Sequence, residues 1–549
     1  MLDKSSDSHI AVNAEQQAAS ARCSAEVCAM PSTQVSTRSN ENVTTLDFNQ
    51  GNIYGNDKQN ETPHARPEIT SPEVASPEVT SPEVARPEAA SPEAANLSAH
   101  LEQKLAGDPE RFASINQDMN QFAIRAAEMN LPQSEIDGVY KNVDRLLQTQ
   151  NKAPLSEARR LDLAEQVMRH AAYPFSISQG NHDTCPLTAL EVRVFDKNPT
   201  AAAAMIADVA LTGTYHTKDG QTLRINAAPH NESKSNYIFD DSRTHASEIF
   251  QVTAGNIIAD LENKAERGQT HGSPNIRFEQ RTQSTPRDTG EAYVAYYGHG
   301  RAEVLKDRTP FVINTGNASR LSDTLTAITG KSEPGTFIGR DTVITDQSPN
   351  VTKIASAADL QNTLTEAKAE GKFPITVFLY SGNEPFWSDG NQHGVGVGHV
   401  VNITDFVPGT GPGDKSYALV DNSWSDRVDH GANNPIELNT LYNSMAHADK
   451  SVPYLQEQAT KARADGSPDY GTEIDILRIQ SSYKMASPEA ISDKVTNTFD
   501  DSFFTWINSL PPREQESTYR KLTIIQNYSL TKPDYAATGG ANDGSNANR

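Results

Sequence analysis

The chain has 549 residues, of which 36% are hydrophobic, and a formal net charge of -23. That length suffices for several domains, and the acidity disfavours nucleic acid as a partner, because phosphate backbones attract basic surfaces. Cys23, Cys28 and Cys185 are the only cysteines, and the first two lie in a polar leader, so a disulfide framework within the core is excluded.

Residues 1–64 are rich in Ser, Asn, Thr, Gln and Ala and carry few aromatics. Such a segment buries too little apolar surface to offset the entropy of folding, and the composition predicts disorder. A pentapeptide follows in six copies, from ARPEI at Ala65 to ASPEA ending at Ala94. Proline at every fifth position removes a donor and turns its predecessor away from helix, so an extended spacer is expected, with the leader closing at residue 96. The longest apolar stretch, 201–212, is too short and too alanine-rich to span a bilayer, and no basic-apolar-small pattern opens the chain. The expected routes are secretion that bypasses the Sec pathway, as a delivered effector, or residence in the cytoplasm.

From Leu97 the apolar residues recur at intervals of three and four: Leu101, Leu105, Phe112, Ile115, Met119, Phe122 and Ala126. Further helices are predicted after Pro132, carrying Ile136, Val139, Val143 and Leu147, and after Ser156, carrying Leu161, Leu163, Val167 and Met168. Residues 97–172 are therefore read as an antiparallel helical module. It packs on the next domain and is a candidate surface for a secretion chaperone or a target protein. Between 173 and 482 both periodicities occur, which predicts an α+β domain. Helices are expected at 186–195, 244–265 and from a Ser356 cap to 369, and strands at 375–380, 399–406, 416–420 and 473–479. Ser487-Pro488-Glu489 starts a C-terminal helical segment, 483–535, and the Gly/Asn-rich 536–549 is read as a flexible tail.

The chemistry gathers in three short islands. Cys185 is followed by Pro186 and by Leu187, Leu190 and Val194, so it stands at a helix start, where the dipole lowers a thiol pKa and a backbone N–H lies beside the sulfur. This reading places the thiol facing a cleft. Gln179, six residues earlier and followed by Gly180, can turn back and donate to an oxyanion. His399 opens an apolar strand after a glycine-rich run, and a second strand delivers Asn422, an uncharged group able to orient an imidazole. His299 and His182 are rival bases, the latter read as substrate-side or solvated, and Asp421 is the rival orienting residue; Trp424 is placed to cover the His-Asn bond. The stretch from Gly409 to Ser416 mimics a phosphate loop but carries Asp414 where glycine belongs, and no HExxH occurs. No cofactor or metal is expected.

These residues resemble the papain-like cysteine peptidase superfamily: Gln179-Gly180, Cys185 at a helix start, Gly398-His399 and Asn422-Ser423-Trp424, with the stretch GHVVNITDF around His399 similar to the calpain branch. Asp183-Thr184-Cys185-Pro186 stands in place of the papain cysteine signature, and a long insertion, roughly 196–370, separates cysteine from histidine. The resemblance implies a two-lobe α+β fold and a protein or peptide substrate. It also implies roles: Cys185 as nucleophile, His399 as base and acid, Asn422 as orienting residue and Gln179 as oxyanion donor. The alternatives carried with it are a deamidase, transglutaminase or acyltransferase using the same triad, and a non-enzymatic scaffold.

Overall fold

The structure, a computed structural model, describes residues 91–148, 152–180, 182–228, 243–267, 275–280, 290–297, 301–304, 318–340, 350–386, 398–411, 413–423 and 434–531. Cys23, Cys28, the first five pentapeptides, His299, Trp424 and the tail 536–549 lie outside the described residues.

The first helix, α1 (Pro92–Lys104), begins inside the last pentapeptide, ahead of the boundary at 96 expected for the leader. Ser91 Oγ accepts from Ala94 N at 3.2 Å, Pro92 occupies the first turn, and Glu93 lies on the positive end of the dipole. The same letters do the same work at Ser487, whose Oγ accepts from Ala490 N at 3.2 Å. Leu97 and Leu101 downstream, both fully buried, supply the apolar face that a nascent helix needs.

Helices α2 (Pro109–Glu128), α3 (Gln133–Leu147) and α4 (Glu157–Ala172) complete the N-terminal group, with Asp108 and Ser156 capping α2 and α4. Their buried residues Ile115, Phe122, Val143 and Val167 share one core with α5 (Cys185–Lys197), α6 (Pro199–Thr212), α7 (His245–Arg267) and α8 (Ala318–Thr329). Arg125 ties the group to α5. Its guanidinium donates to Ala171 O at 2.9 Å and Phe195 O at 3.1 Å and pairs with Asp196 at 3.2 Å. The helices before 172 are thus continuous with the core that carries Cys185.

Helix α5 is buried from Cys185 to Asp196, so it is enclosed on all sides. It lies against a six-stranded mixed sheet of order β11-β10-β9-β8-β6-β7. The strands are β6 (Phe337–Gly339), β7 (Val351–Lys353), β8 (Ile375–Tyr380), β9 (Gly398–Val407), β10 (Tyr417–Asp421) and β11 (Asn434–Glu437). β7, β6 and β8 are parallel neighbours, while β8 through β11 run antiparallel. Alternation along β9 sends Val400 into the first core and Val401 and Ile403 into a second. That second core is closed by α9 (Ala357–Ala369) and α10 (Leu438–Ser444). Asn402 locks helix to sheet: its Nδ2 donates to Ala189 O at 3.0 Å and its Oδ1 accepts from Thr376 Oγ1 at 2.9 Å.

Two short sheets flank this body. β1 (Thr214–His216) pairs with β2 (Thr222–Arg224), and β3 (Asn275–Gln280) pairs with β4 (Glu291–Tyr296), which pairs with β5 (Ala302–Val304). The outer edge of β3 is covered by side chains of α7. Asn256 bonds both the N–H and the C=O of Phe278, and Asn263 does the same for Ile276, at 2.7–3.2 Å. Two asparagines seven residues apart thereby stand in for a neighbouring strand.

The 473–479 segment, read from its sequence as a strand, is helical. It lies in α12 (Tyr470–Ser482), which follows α11 (Ala448–Ala464). Asp469 Oδ1 caps it by accepting from Thr472 N at 3.0 Å, and residues 473–481 are all buried. Three helices, α13 (Pro488–Thr498), α14 (Asp501–Ser509) and α15 (Pro512–Ser529), end the described chain and share a separate core with α12. The architecture is mixed α+β, and among the described residues no helix is long and apolar enough to cross a membrane.

Candidate active site

The three islands, up to 244 residues apart in sequence, are joined by hydrogen bonds. Ser423 Oγ donates to Gln179 Oε1 at 2.7 Å, and Gln179 N donates to Ser423 O at 3.2 Å. One residue before Ser423, Asn422 Oδ1 lies 2.8 Å from His399 Nε2. An amide oxygen only accepts, so with the amide in this orientation the proton sits on Nε2 and Nδ1 is the basic ring atom. The backbone N–H groups that favour the Cys185 thiolate are its own and that of Val400, the residue after His399. Sheet pairing explains why the strands deliver these groups together: Asp421 is registered with Asn402, so Asn422 leaves β10 level with the start of β9.

Helix α5 starts at Cys185 itself, with Pro186 as its second residue, and Thr184 at the N-cap makes no side-chain capping bond. The last point leaves the first turn to the sulfur and the backbone. The expected cleft exposure is not found. Cys185 is 4% exposed, and Gln179, His399 and Asn422 are buried with it. Enclosure governs the protonation of Cys185 and His399. Burial pushes the thiol well above its ordinary value, Asp183 and Glu291 add to the rise, and the Val400 and Cys185 amides oppose it. Burial likewise lowers His399 to about 4 against the opposing bond from Asn422. In this closed state the thiol and the imidazole are both neutral.

Gln179 is held at both ends, because its Nε2 also donates to His182 O at 2.6 Å. His182 is neither solvated nor turned to an open substrate side. Its Nδ1 lies 2.9 Å from Glu291 Oε1 on β4, and both side chains are buried. Glu291 further accepts from Asp183 N at 3.1 Å and from Arg243 Nη1 at 3.1 Å, while Arg243 Nη2 reaches Gln280 Oε1 at 2.6 Å. Burial alone raises a carboxyl, yet His182, Arg243 and the Asp183 N–H together hold Glu291 below the usual range. Asp183 moves the other way, to about 6, through burial and the neighbouring Glu291 charge. Gly180 completes the loop at φ 59°, where a Cβ would sit 2.7 Å from Arg243 N. Glu291 and Arg243 were not singled out from the sequence, and no local spacing connects them to Cys185.

Asp421, the rival to Asn422, does not take the orienting position. Its carboxyl is buried, Oδ1 has no hydrogen-bond partner, and burial raises its pKa well above the ordinary value. The unfolded chain releases this proton near 3.8, whereas the folded chain holds it to higher pH, so stability falls as pH rises between the two values. Asp421→Asn should therefore melt several degrees above the parent at pH 8, with the gain shrinking towards pH 4. Melting curves across that range, with an unchanged difference at both ends, would contradict the assignment.

Among the described residues, no group of three or more His, Cys, Asp or Glu side chains is arranged to hold a metal ion. Comparison of the chain with protein-family models, with curated proteins and with solved structures gives no match.

Proposed function

We propose that the protein is a cysteine peptidase of papain-like architecture that cleaves protein substrates through Cys185, His399 and Asn422. The observation that carries this reading is the convergence of the three islands: the Gln179-Ser423 pair of bonds, the 2.8 Å Asn422-His399 bond, and the thiol at the Val400 amide. A lone buried cysteine is ordinarily packing. One at a helix N-terminus, beside a strand whose histidine is oriented by an amide and beside a tethered glutamine, has the partners that acyl transfer requires.

The chemistry follows from the atoms present. Because thiol and imidazole are both neutral, His399 Nδ1 takes the proton as Sγ attacks the scissile carbonyl. The new C–S bond pushes the carbonyl electrons onto oxygen, where the Cys185 N–H and the second N–H of Gln179 Nε2 are the donors. His399 then protonates the leaving amine, and the C–N bond breaks. Water attacks the thioester with His399 again as base, releasing the acid and restoring the thiol. Asn422 keeps the ring in the tautomer that serves all four proton transfers. The enclosure of Cys185 means that substrate entry must displace part of its cover.

The test is cleavage of a peptide library, with mass-spectrometric detection of new termini and a parallel assay for ammonia released from glutamine. New termini support the proposal; ammonia without new termini would assign the same triad to side-chain deamidation instead. Within that assay Gln179→Ala should lower turnover by about 10²- to 10³-fold, the usual loss for an oxyanion donor. Because Gln179 also anchors Ser423, the variant should melt slightly lower, and full activity in a destabilised protein would remove its catalytic role.

A further inference from the structure

Phe386 packs edge-on against His399, with ring centroids 6.1 Å apart and planes at 63°, and is itself buried. It belongs to the segment 381–386 that follows β8, and residues 382, 383 and 384 are each held by residues between 443 and 521. Arg478 on α12 donates through Nη2 to Gly382 O. Asn383 Nδ2 donates to Ala446 O at 2.8 Å and Asn443 O at 3.4 Å, and its Oδ1 accepts from Ser451 Oγ at 3.1 Å. Glu384 pairs with Lys521 on α15. Lys521 in turn lies 3.2 Å from Asp475 Oδ1, which also pairs with Arg478 at 3.2 Å.

Lys521 is 6% exposed, an unusual place for an ammonium group. A bundle that needed only to cover apolar surface would hold an aliphatic side chain there, since burying a charge costs more than it returns unless its partners are well placed. Its two carboxylates sit on different elements, Asp475 on α12 and Glu384 on the loop beside the imidazole. The ammonium thus bridges α12 of the bundle and the loop beside the imidazole.

We infer that the C-terminal helices are a positioning device for the catalytic base. Through the Glu384 pair, Lys521 of α15 sets the loop that presses Phe386 on His399, and so fixes the ring relative to Asn422 and the thiol. The inference deepens the peptidase reading and rests on it for its kinetic arm, while its structural arm does not. Lys521 acts through Glu384 and Phe386 and touches neither substrate nor sulfur, so it is a positioning residue.

The experiment uses the full chain with ¹³C-labelled histidine, in the parent, Lys521→Met, Glu384→Gln and Tyr528→Phe. Lys521→Met keeps the length of the side chain, leaves Asp475 with Arg478, and leaves Glu384 partly open to water, so no carboxylate is stranded. Should it fail to fold, Glu384→Gln breaks the same pair from the solvent side. Tyr528→Phe is the control: it removes the 2.7 Å bond to Ala486 O within the bundle and does not touch the loop. In both pair variants the His399 ring resonances should move and the Phe386-His399 cross-peak should weaken. kcat should fall about tenfold, with KM within about twofold of the parent, since small misplacements of a reacting group act on turnover. Tyr528→Phe should leave all three readouts unchanged.

Parent-like His399 signals in both pair variants, or an equal change in Tyr528→Phe, would overturn the inference. If Cys185→Ala retains the parent's turnover, the peptidase reading fails instead, and the His399 resonances alone then decide whether the C-terminal helices position that ring.

Discussion

Replacing Cys185 with alanine should abolish hydrolysis, by about 10³-fold or more, while lowering stability by only about 1 kcal/mol. The small stability cost follows from what is removed: one sulfur atom at the first turn of α5, where the thiol makes its contacts with backbone amides and supports no side-chain network. The large activity cost follows from the proposed mechanism, in which the covalent intermediate forms on that atom. The site's electrostatics add a signature. Burial holds the thiol far above its ordinary pKa, so the thiolate fraction in the free protein is small at neutral pH and grows about tenfold per pH unit as pH rises. Alkylation of Cys185 by iodoacetamide should climb steadily into the alkaline range instead of levelling off near pH 5, as a resting thiolate-imidazolium pair would. A flat profile with full labelling at pH 5 would refute the neutral closed state. Turnover by purified Cys185→Ala would refute the nucleophile.

How much of this was legible in the sequence depended on whether a residue's partner was local. Helix α5 announces itself through Cys185-Pro186 and the spacing of Leu187, Leu190 and Val194, and β8, β9 and β10 through β-branched runs bounded by turns. Strand alternation allows one of the neighbours Asp421 and Asn422 to face the histidine, and the fold decides which: Asn422 Oδ1 meets the ring and Asp421 Oδ1 is left without a partner. α12 misled because Ile474, Ile476 and Ile479 give it the β-branched content of a strand. The deciding features, the Asp469 cap and burial on every side, belong to context. Glu291 was invisible for a different reason. It lies more than a hundred residues from the His182 loop, on β4, and what binds them is a buried charge seeking a partner, which no spacing records. Phe386 falls in the same class: its value lies in the ring it touches, not in its neighbours along the chain.

His399→Ala should fall to the level of Cys185→Ala, and the double variant should be no worse than either, because members of one catalytic unit do not add. The geometry motivates the claim. Asn422 Oδ1 fixes the proton on Nε2, so the ring presents Nδ1 as its only basic atom, and without that ring the neutral thiol has nowhere to send its proton. Asn422→Ala should lose less, about 10²-fold, since it removes the bond that aims the ring and leaves the base in place. In Asn422→Ala the ring can take either tautomer, so adding His399→Ala to it should cost only the remainder. Buried as it is, the Asn422→Ala cavity beside His399 should also lower the melting temperature by a few degrees, which separates its effect from that of Cys185→Ala. The decisive measurement is the cycle of Cys185→Ala, His399→Ala and their double variant in one peptide assay. Strict additivity of two large losses would mean that the two residues act independently, and a His399→Ala protein with parent-like turnover would take the base away from β9 altogether.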